Sequence, residues 1–328
     1  MSRMGLIDAR RSLLAIFLLG AAAPVSVVAQ EYPSKPIRWI IPYPTGGTSD
    51  FLARLIGQKL TEAWKQSVLI DNRSGANGNI GTELAAKAPP DGYTLLLVAS
   101  TFTMNPAVYP NLAFDTEKDF APVTTILWQP YLLSVHPSLP VTTVKELISL
   151  ARARPGAIDY GSGGVGNATH IAGERFASMA GVKLNHVPYR GVGPSITALL
   201  SGEVQLLYAS SVAVQPFIKS GRMRVLAVTG VKRIAQMPEV PTVSEAGVPG
   251  YVEGNWQAVL VPSKTPGPVI NRLNQELVRI VKTPEISAQI LQVGADVIAS
   301  TPDETGALIR NDLKKYADVV KRLNIKAE

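Results

Sequence analysis

Short apolar runs alternate with longer stretches of helical periodicity, and this alternation limits the possible folds more than any other feature of the chain. Ile37-Arg38-Trp39-Ile40-Ile41 reads as a buried strand. From Asp50 to Trp64, residues Phe51, Leu52, Leu55, Ile56 and Leu60 fall on one helical face. Residues 68–70, 94–98 and 131–135 are further strand-like runs, and 158–160, 184–187, 204–208 and 225–228 repeat the pattern in the second half. Strand, loop and helix in alternation predict α/β architecture with parallel sheets. Thr143-Val144-Lys145-Glu146 and Thr301-Pro302-Asp303-Glu304 have capping-box spacing, in which hydroxyl and carboxylate each bond the other's backbone N–H. In the second box, proline takes the first helical position. Leu308, Leu313, Tyr316, Val320 and Leu323 then give a C-terminal helix its apolar packing stripe.

A chain of 328 residues has room for about two domains of roughly 100–200 residues each. It contains no cysteine, which excludes a disulfide framework, a thiolate zinc site, an iron–sulfur cluster and a cysteine nucleophile. The histidines His136, His170 and His186 are scattered and no H-E-x-x-H occurs, so neither a metal nor another cofactor is expected. The formal net charge is +7. No block of five like charges appears and basic residues do not alternate with aromatics, so no nucleic-acid partner is expected.

Residues 1–29 read as a secretory signal peptide. Arg3, Arg10 and Arg11 form its basic start, an apolar core comes next, and Val27-Val28-Ala29 offers small residues for cleavage after Ala29. The strongly apolar stretch from Leu13 to Ala23 falls short of the ~20 residues that span a bilayer, and Pro24 interrupts its continuation. Removal of three arginines and Asp8 lowers the net charge to +5. The rest has no apolar run of membrane-spanning length, so a soluble, monomeric protein of the bacterial periplasm is expected; absence of cysteine permits that compartment without requiring it.

Two glycine-rich loops, about 117 residues apart, sit between a strand and a helix and suggest one such loop in each of two similar lobes. The first is Pro42-Tyr43-Pro44-Thr45-Gly46-Gly47-Thr48-Ser49-Asp50. Its glycines admit a ligand close to the backbone, and the helix N-terminus beyond it favours a carboxylate or phosphate. Equally, Ser49 or Asp50 could simply cap that helix. The second is Gly161-Ser162-Gly163-Gly164-Val165-Gly166-Asn167-Ala168-Thr169-His170. It holds a formal G-x-G-x-x-G, but the next strand runs into Pro188-Tyr189-Arg190 without the acidic residue a dinucleotide ribose needs. A small anion would suit the same geometry. A third stretch, Gly75-Ala76-Asn77-Gly78-Asn79-Ile80-Gly81-Thr82, precedes another helix.

No P-loop and no G-x-S-x-G nucleophile elbow occurs. Ser162 with His170, or Ser49 with Asp50, could be paired as a hydrolytic set, although neither spacing is required by the chemistry. Arg190 could fork onto a carboxylate or make an interlobe or surface ion pair. Ser210 and Ser211 end a strand, where open α/β sheets place ligands. Trp256 could line a cleft or fill a core.

Ordered blocks along the whole mature chain resemble the Bug family, the substrate-binding proteins of tripartite tricarboxylate transporters. They include YPSKPIRWIIPYPTGGTSDFLAR at 32–54, NRSGANGNIGT at 72–82, DGYTLLL at 91–97 and MNPAVY at 104–109. YGSGGVGNATHIAGERF at 160–176, VPYRGVGP at 187–194, PEVPTVSEAG at 238–247 and WQAVLVP at 256–262 complete the set. The resemblance implies a type II periplasmic binding protein of two lobes, each an α/β sandwich, with the ligand cleft between them. Crossings near residues 131 and 256 would make lobe one 31–130 plus 257–328 and lobe two 131–256, with the C-terminal helix returning to lobe one.

Carried over by motif, the resemblance places Thr45, Gly46, Gly47, Thr48 and Ser49 at a ligand carboxylate, together with Ser162, Gly163, Asn167, Thr169 and His170. Ser100, Thr101, Ser210 and Arg190 join them as further ligand-binding candidates. Asp50 would organise its helix start, and Tyr43 and Thr45 would tune the ligand. The implied role is capture of a small organic carboxylate, closure of the lobes and transient delivery to membrane permease subunits, with no reaction. The same fold could instead present ligand to a sensor kinase, and a cleft hydrolase is the remaining alternative.

Overall fold

The computed structural model describes residues 32–326, so the signal peptide expected over 1–29 and its cleavage after Ala29 lie outside the described residues. In chain order the first elements are β1 (Ile37–Ile41), α1 (Thr48–Trp64), β2 (Val68–Asn72), α2 (Asn79–Ala86), β3 (Thr94–Ala99) and α3 (Thr101–Val108). A single 3₁₀ turn, Ala76–Gly78, precedes α2. Next come β4 (Phe120–Pro130), β5 (Leu132–Val135), α4 (Val144–Ala153), β6 (Asp159–Ser162), α5 (Ala168–Ala180), β7 (Asn185–Pro188) and α6 (Val192–Ser201). The chain continues through β8 (Leu206–Ala209), α7 (Ser211–Lys219), β9 (Arg224–Val228) and β10 (Gly254–Pro262). It ends with α8 (Gly267–Val281), α9 (Pro284–Gln292), β11 (Asp296–Val297) and α10 (Pro302–Arg322).

The strands form two sheets, in the orders β11-β4-β10-β3-β1-β2 and β7-β6-β8-β5-β9. Both are mixed, which corrects the expectation of parallel sheets. The strand–helix–strand units β1-α1-β2 and β6-α5-β7 do pair in parallel, as a helical crossover requires. β10, however, runs antiparallel to β3 and β4, and β5 antiparallel to β8 and β9. The reason is connectivity. β4 passes into β5 through Tyr131 alone, carrying the chain from the first sheet to the second, and β10 brings it back.

Each capping box forms. Thr143 and Thr301 accept from the N–H of Glu146 and Glu304, whose carboxylates return to the cap backbone, so α4 and α10 start where the sequence places them. α1 begins earlier than the apolar stripe indicated, at Thr48, with Gly47 as its N-cap.

The first sheet buries Ile40, Leu96, Val98, Phe102, Phe114, Phe120 and Leu260 in one cluster. Phe102, Phe114 and Phe120 meet with ring centroids 5.6–6.5 Å apart. Trp256 belongs to this core and donates from Nε1 to Asp312 Oδ2 at 2.7 Å, pinning α10 to β10. The second sheet packs Leu133, Tyr160, Phe176, Tyr208 and Tyr251 into another cluster. That cluster also takes in Met104 and Val108 of α3 and Tyr316, Val319 and Val320 of α10. The C-terminal helix therefore seats its first half on the first sheet, through Ile309, and its second half in the core of the other.

Candidate functional site

The backbone leaves β1 at Ile41 and turns into α1 through Gly46, whose φ of 83° is left-handed and favours a residue without Cβ. No side chain caps α1, so the N–H groups of its first turn, which no i−4 carbonyl can reach, stay available. Thr45 and Gly46 are exposed, whereas Thr48, Ser49 and Asp50 are buried. Thr48 Oγ1 accepts from Gln129 Nε2 at 3.0 Å and donates to Ser210 Oγ at 3.3 Å. Ser49 Oγ donates to Gln257 Oε1 at 2.8 Å. Asp50 accepts from the Gly46 N–H at 3.1 Å and pairs with Arg54 at 3.0 Å. Burial works to raise the Asp50 carboxyl, but the Arg54 guanidinium and the Gly46 N–H outweigh it and hold the group below the usual carboxylate value. Its charge is thus spent inside the loop, where it organises the helix start.

The second loop joins β6 to α5. Asn167 is the N-cap of α5, accepting from the Thr169 N–H at 3.1 Å and from Thr169 Oγ1 at 2.9 Å. Thr169 Oγ1 in turn accepts from the Gly163 N–H at 3.0 Å. His170 Nδ1 accepts from the Gly166 N–H at 3.0 Å. Gly166 has a φ of 71°, and a Cβ there would sit 2.5 Å from Val108 of α3, so glycine is required on two counts.

Two of the histidines are not scattered in space: the His170 and His186 rings stack at 3.7 Å with planes 6° apart. Burial, with the neighbouring imidazole, pushes His170 down to about 3, and burial pushes His186 down to about 4. Both are neutral near pH 7. Ser162, paired with His170 in the sequence, is instead 2.6 Å from His186 Nε2 because β6 and β7 lie side by side. It is fully buried, and its hydroxyl is engaged with the Gly164 carbonyl at 3.2 Å as well as with His186. Ser49 does not engage Asp50; its hydroxyl goes to Gln257.

The first loop meets the start of α7 and the turn after β7. Thr48 faces Ser210, the N-cap of α7. Arg190 is exposed on the turn after β7, which is docked on the second loop by Gly191 N–H to the Gly163 carbonyl at 3.2 Å. A Cβ on Gly191 would stand 3.7 Å from Pro44 of the first loop. Ser100 and Thr101 are buried at the start of α3, and both Ser100 N–H and Oγ donate to Asn255 Oδ1, at 3.0 and 2.9 Å. These two bonds tie Ser100 to the returning strand β10 and not to either loop.

Sequence reasoning missed the amides. Gln129 and Gln257 are each 1% exposed in central strands, and with Asn255, Asn77 and Asn105 they hold the loop hydroxyls and amides in place. Glutamine inside an apolar run was the available signal. Among the described residues no helix is long and apolar enough to cross a membrane, and no group of His, Asp and Glu could hold a metal ion.

The sequence profile of the Tripartite tricarboxylate transporter family receptor (TctC) matches residues 52–325. BugT of Bordetella pertussis is 34% identical, the match covering 96% of this chain and 97% of that protein. Rpa4515 of R. palustris, solved with adipate, superposes with a TM-score of 0.87 at 36% identity, over 90% of this chain and 100% of that one. MatC (Rpa3494) from Rhodopseudomonas palustris, solved with bound malate, gives a TM-score of 0.81 at 27% identity, over 88% and 100%. These are receptors that bind solutes, not enzymes, and the chain belongs to their family, the Bug or TctC receptors of tripartite tricarboxylate transporters.

Proposed function

We propose that this chain is a periplasmic receptor that captures a small organic carboxylate between two lobes and delivers it to the permease subunits of a tripartite transporter. The observation that carries the reading is the direct meeting of two helix starts from the two sheets: Thr48 opens α1, Ser210 is the N-cap residue of α7, and their hydroxyls lie 3.3 Å apart. Oriented N–H groups and hydroxyls there can hold an anion without a buried counter-ion. The stacked histidines are neutral and Asp50 is already paired, so neither a cation nor a free acid dominates the field. The adipate and malate held by the two solved relatives point to dicarboxylates first.

Sheet membership supports lobes close to 31–130 plus 257–328 and 131–256, with the return shifted to Gly254 where β10 begins, because the first sheet draws on β1–β4, β10 and β11 and the second on β5–β9. On this reading Thr45, Gly46, Gly47, Thr48 and Ser49 face Ser162, Gly163, Asn167, Thr169, His170 and Ser210. Arg190 stands at the rim, and Ser100 and Thr101 form the floor.

The test is a thermal-shift screen of residues 30–328 after unfolding and refolding to strip carried-over ligand. The panel holds adipate, malate, other di- and tricarboxylates, amino acids and aromatic acids, with sugars and nucleotides as controls. A ligand at ~100 times its dissociation constant adds roughly 2.7 kcal/mol. A selective shift with one carboxylate class supports the reading. A shift only with a sugar or nucleotide sinks it. Delivery is tested by uptake of the same labelled carboxylate in cells with and without the receptor.

A further inference from the structure

The third glycine-rich stretch, residues 75–82, belongs to neither loop, yet it touches both. A Cβ on Gly78 would come 3.1 Å from Tyr43, and one on Gly81 2.8 Å from Pro42, so the stretch is seated against the start of the first loop. From there Asn77 reaches the second. Its Oδ1 accepts from Asn167 Nδ2 at 3.0 Å, and its Nδ2 donates to Asn105 Oδ1 at 2.9 Å. Asn105 Nδ2 donates back to the Asn77 carbonyl at 3.1 Å and to Asn79 Oδ1 at 2.6 Å.

The backbone at Asn77 is left-handed, with φ 56° and ψ 30°, although a side chain is present. Asparagine tolerates that region better than most residues, but glycine tolerates it best. A side chain kept where the backbone prefers none has a use when that side chain makes specific contacts. Here it meets the residue whose other amide atom caps α5.

We propose that Asn77 is a positioning residue for ligand binding, acting through Asn167 to present the second loop to the cleft. The hydrogen bonds form one chain. Asn105 orients Asn77, and Asn77 takes the Asn167 amide by its NH₂ group. That choice turns the Asn167 oxygen toward Thr169, and Thr169 Oγ1 receives the Gly163 N–H. A flipped Asn167 amide would present its NH₂ to the Thr169 N–H, donor against donor, and release both the α5 start and Gly163. The inference rests on the carboxylate-receptor reading for its effect on affinity. Its effect on loop order is independent of any ligand.

Asn77→Gly separates the positioning role from a structural one, because it suits the left-handed backbone and removes only the side chain. Asn167→Ser keeps an N-cap oxygen for α5 but loses the donor that reaches Asn77. Two readouts are taken. In the ligand-free protein, hydrogen exchange of the 163–169 amides is expected to rise at least tenfold in Asn77→Gly, with exchange in β1 and the melting temperature little changed. With adipate and malate as probes, Asn77→Gly is expected to weaken binding at least tenfold in the wild-type background and less than twofold in the Asn167→Ser background. Unchanged exchange at 163–169 overturns the proposal whether or not either probe binds. Equal losses of affinity in both backgrounds overturn action through Asn167. If neither probe, nor any other carboxylate, binds the wild-type protein, the receptor reading fails and the exchange readout alone decides the role of Asn77.

Discussion

Ser49 and Gln257 are joined by a 2.8 Å hydrogen bond that ties the first turn of α1 to the middle of the strand returning from the second sheet. Both side chains are buried, at 5% and 1% exposure. Ser49→Ala leaves the Gln257 carbonyl without its partner, and a buried acceptor left unpaired costs about 1–3 kcal/mol. Urea unfolding of Ser49→Ala should show that loss, and Ser49→Ala with Gln257→Leu should recover part of it. If the double variant is less stable than the sum of the single losses, the pair is not an isolated hydrogen bond.

Thr48→Val keeps the shape of the side chain and removes the hydroxyl that meets both Gln129 and Ser210. The stranded Gln129 amide should lower stability by about 1 kcal/mol. Affinity for the carboxylate found by the screen should fall about tenfold, equal to about 1.4 kcal/mol. Calorimetric titration measures it, and wild-type affinity would remove Thr48 from the proposed site.

The neutral histidine stack makes the fold sensitive to acid. His170 binds its proton near pH 3 in the folded protein but near 6.5 when unfolded, so between those values the unfolded chain holds more protons. Stability therefore rises with pH across this window and is lost as pH falls from about 6.5. Each such histidine contributes about 1 kcal/mol per pH unit. Glu174 lies 3.9 Å from His170 Nε2 and would favour the charged ring, but burial outweighs it. Urea midpoints between pH 7 and 4.5 check the slope. A flat profile would mean the pair is charged or exposed in solution.

Three glycines give opposite outcomes for one substitution. A Cβ at Gly254 would sit 2.3 Å from Trp128 Cζ2 and 2.7 Å from the Gln129 carbonyl, and at Gly173 2.3 Å from Tyr160 Cε2. Gly254→Ala and Gly173→Ala should each lose about 1–3 kcal/mol or more through overpacking. Gly267 opens α8 with no atom within 4 Å of the added carbon. Gly267→Ala should gain about 0.4–1 kcal/mol by restricting the unfolded chain. Thermal melts of the three variants decide it.

The regular elements were legible because each obeys a local rule. The strand 37–41, the capping boxes at Thr143 and Thr301 and the glycine turns before α1 and α5 all depend on neighbours in sequence. β4 and β10 were not read as strands, because Thr124, Thr125, Gln129 and Gln257 break their apolar pattern. Those polar groups find partners far away in sequence: Thr124 donates to the Ser300 carbonyl, and Gln257 accepts from Ser49. The loops themselves could be named from glycine, serine and threonine content. What joins them could not. Ser162 meets His186 only through strand pairing, and Asn77 meets Asn167 across 90 positions of chain.

α10 begins under a capping box on the first sheet and ends with Tyr316, Val319 and Val320 among the side chains that cover the second. An α-helix is stiff over such a length, and its two halves sit in different hydrophobic cores. Sliding one sheet past the other would drag apolar side chains out of one socket or the other. α10 thus fastens the two clusters to each other, and shortening it would open both at once.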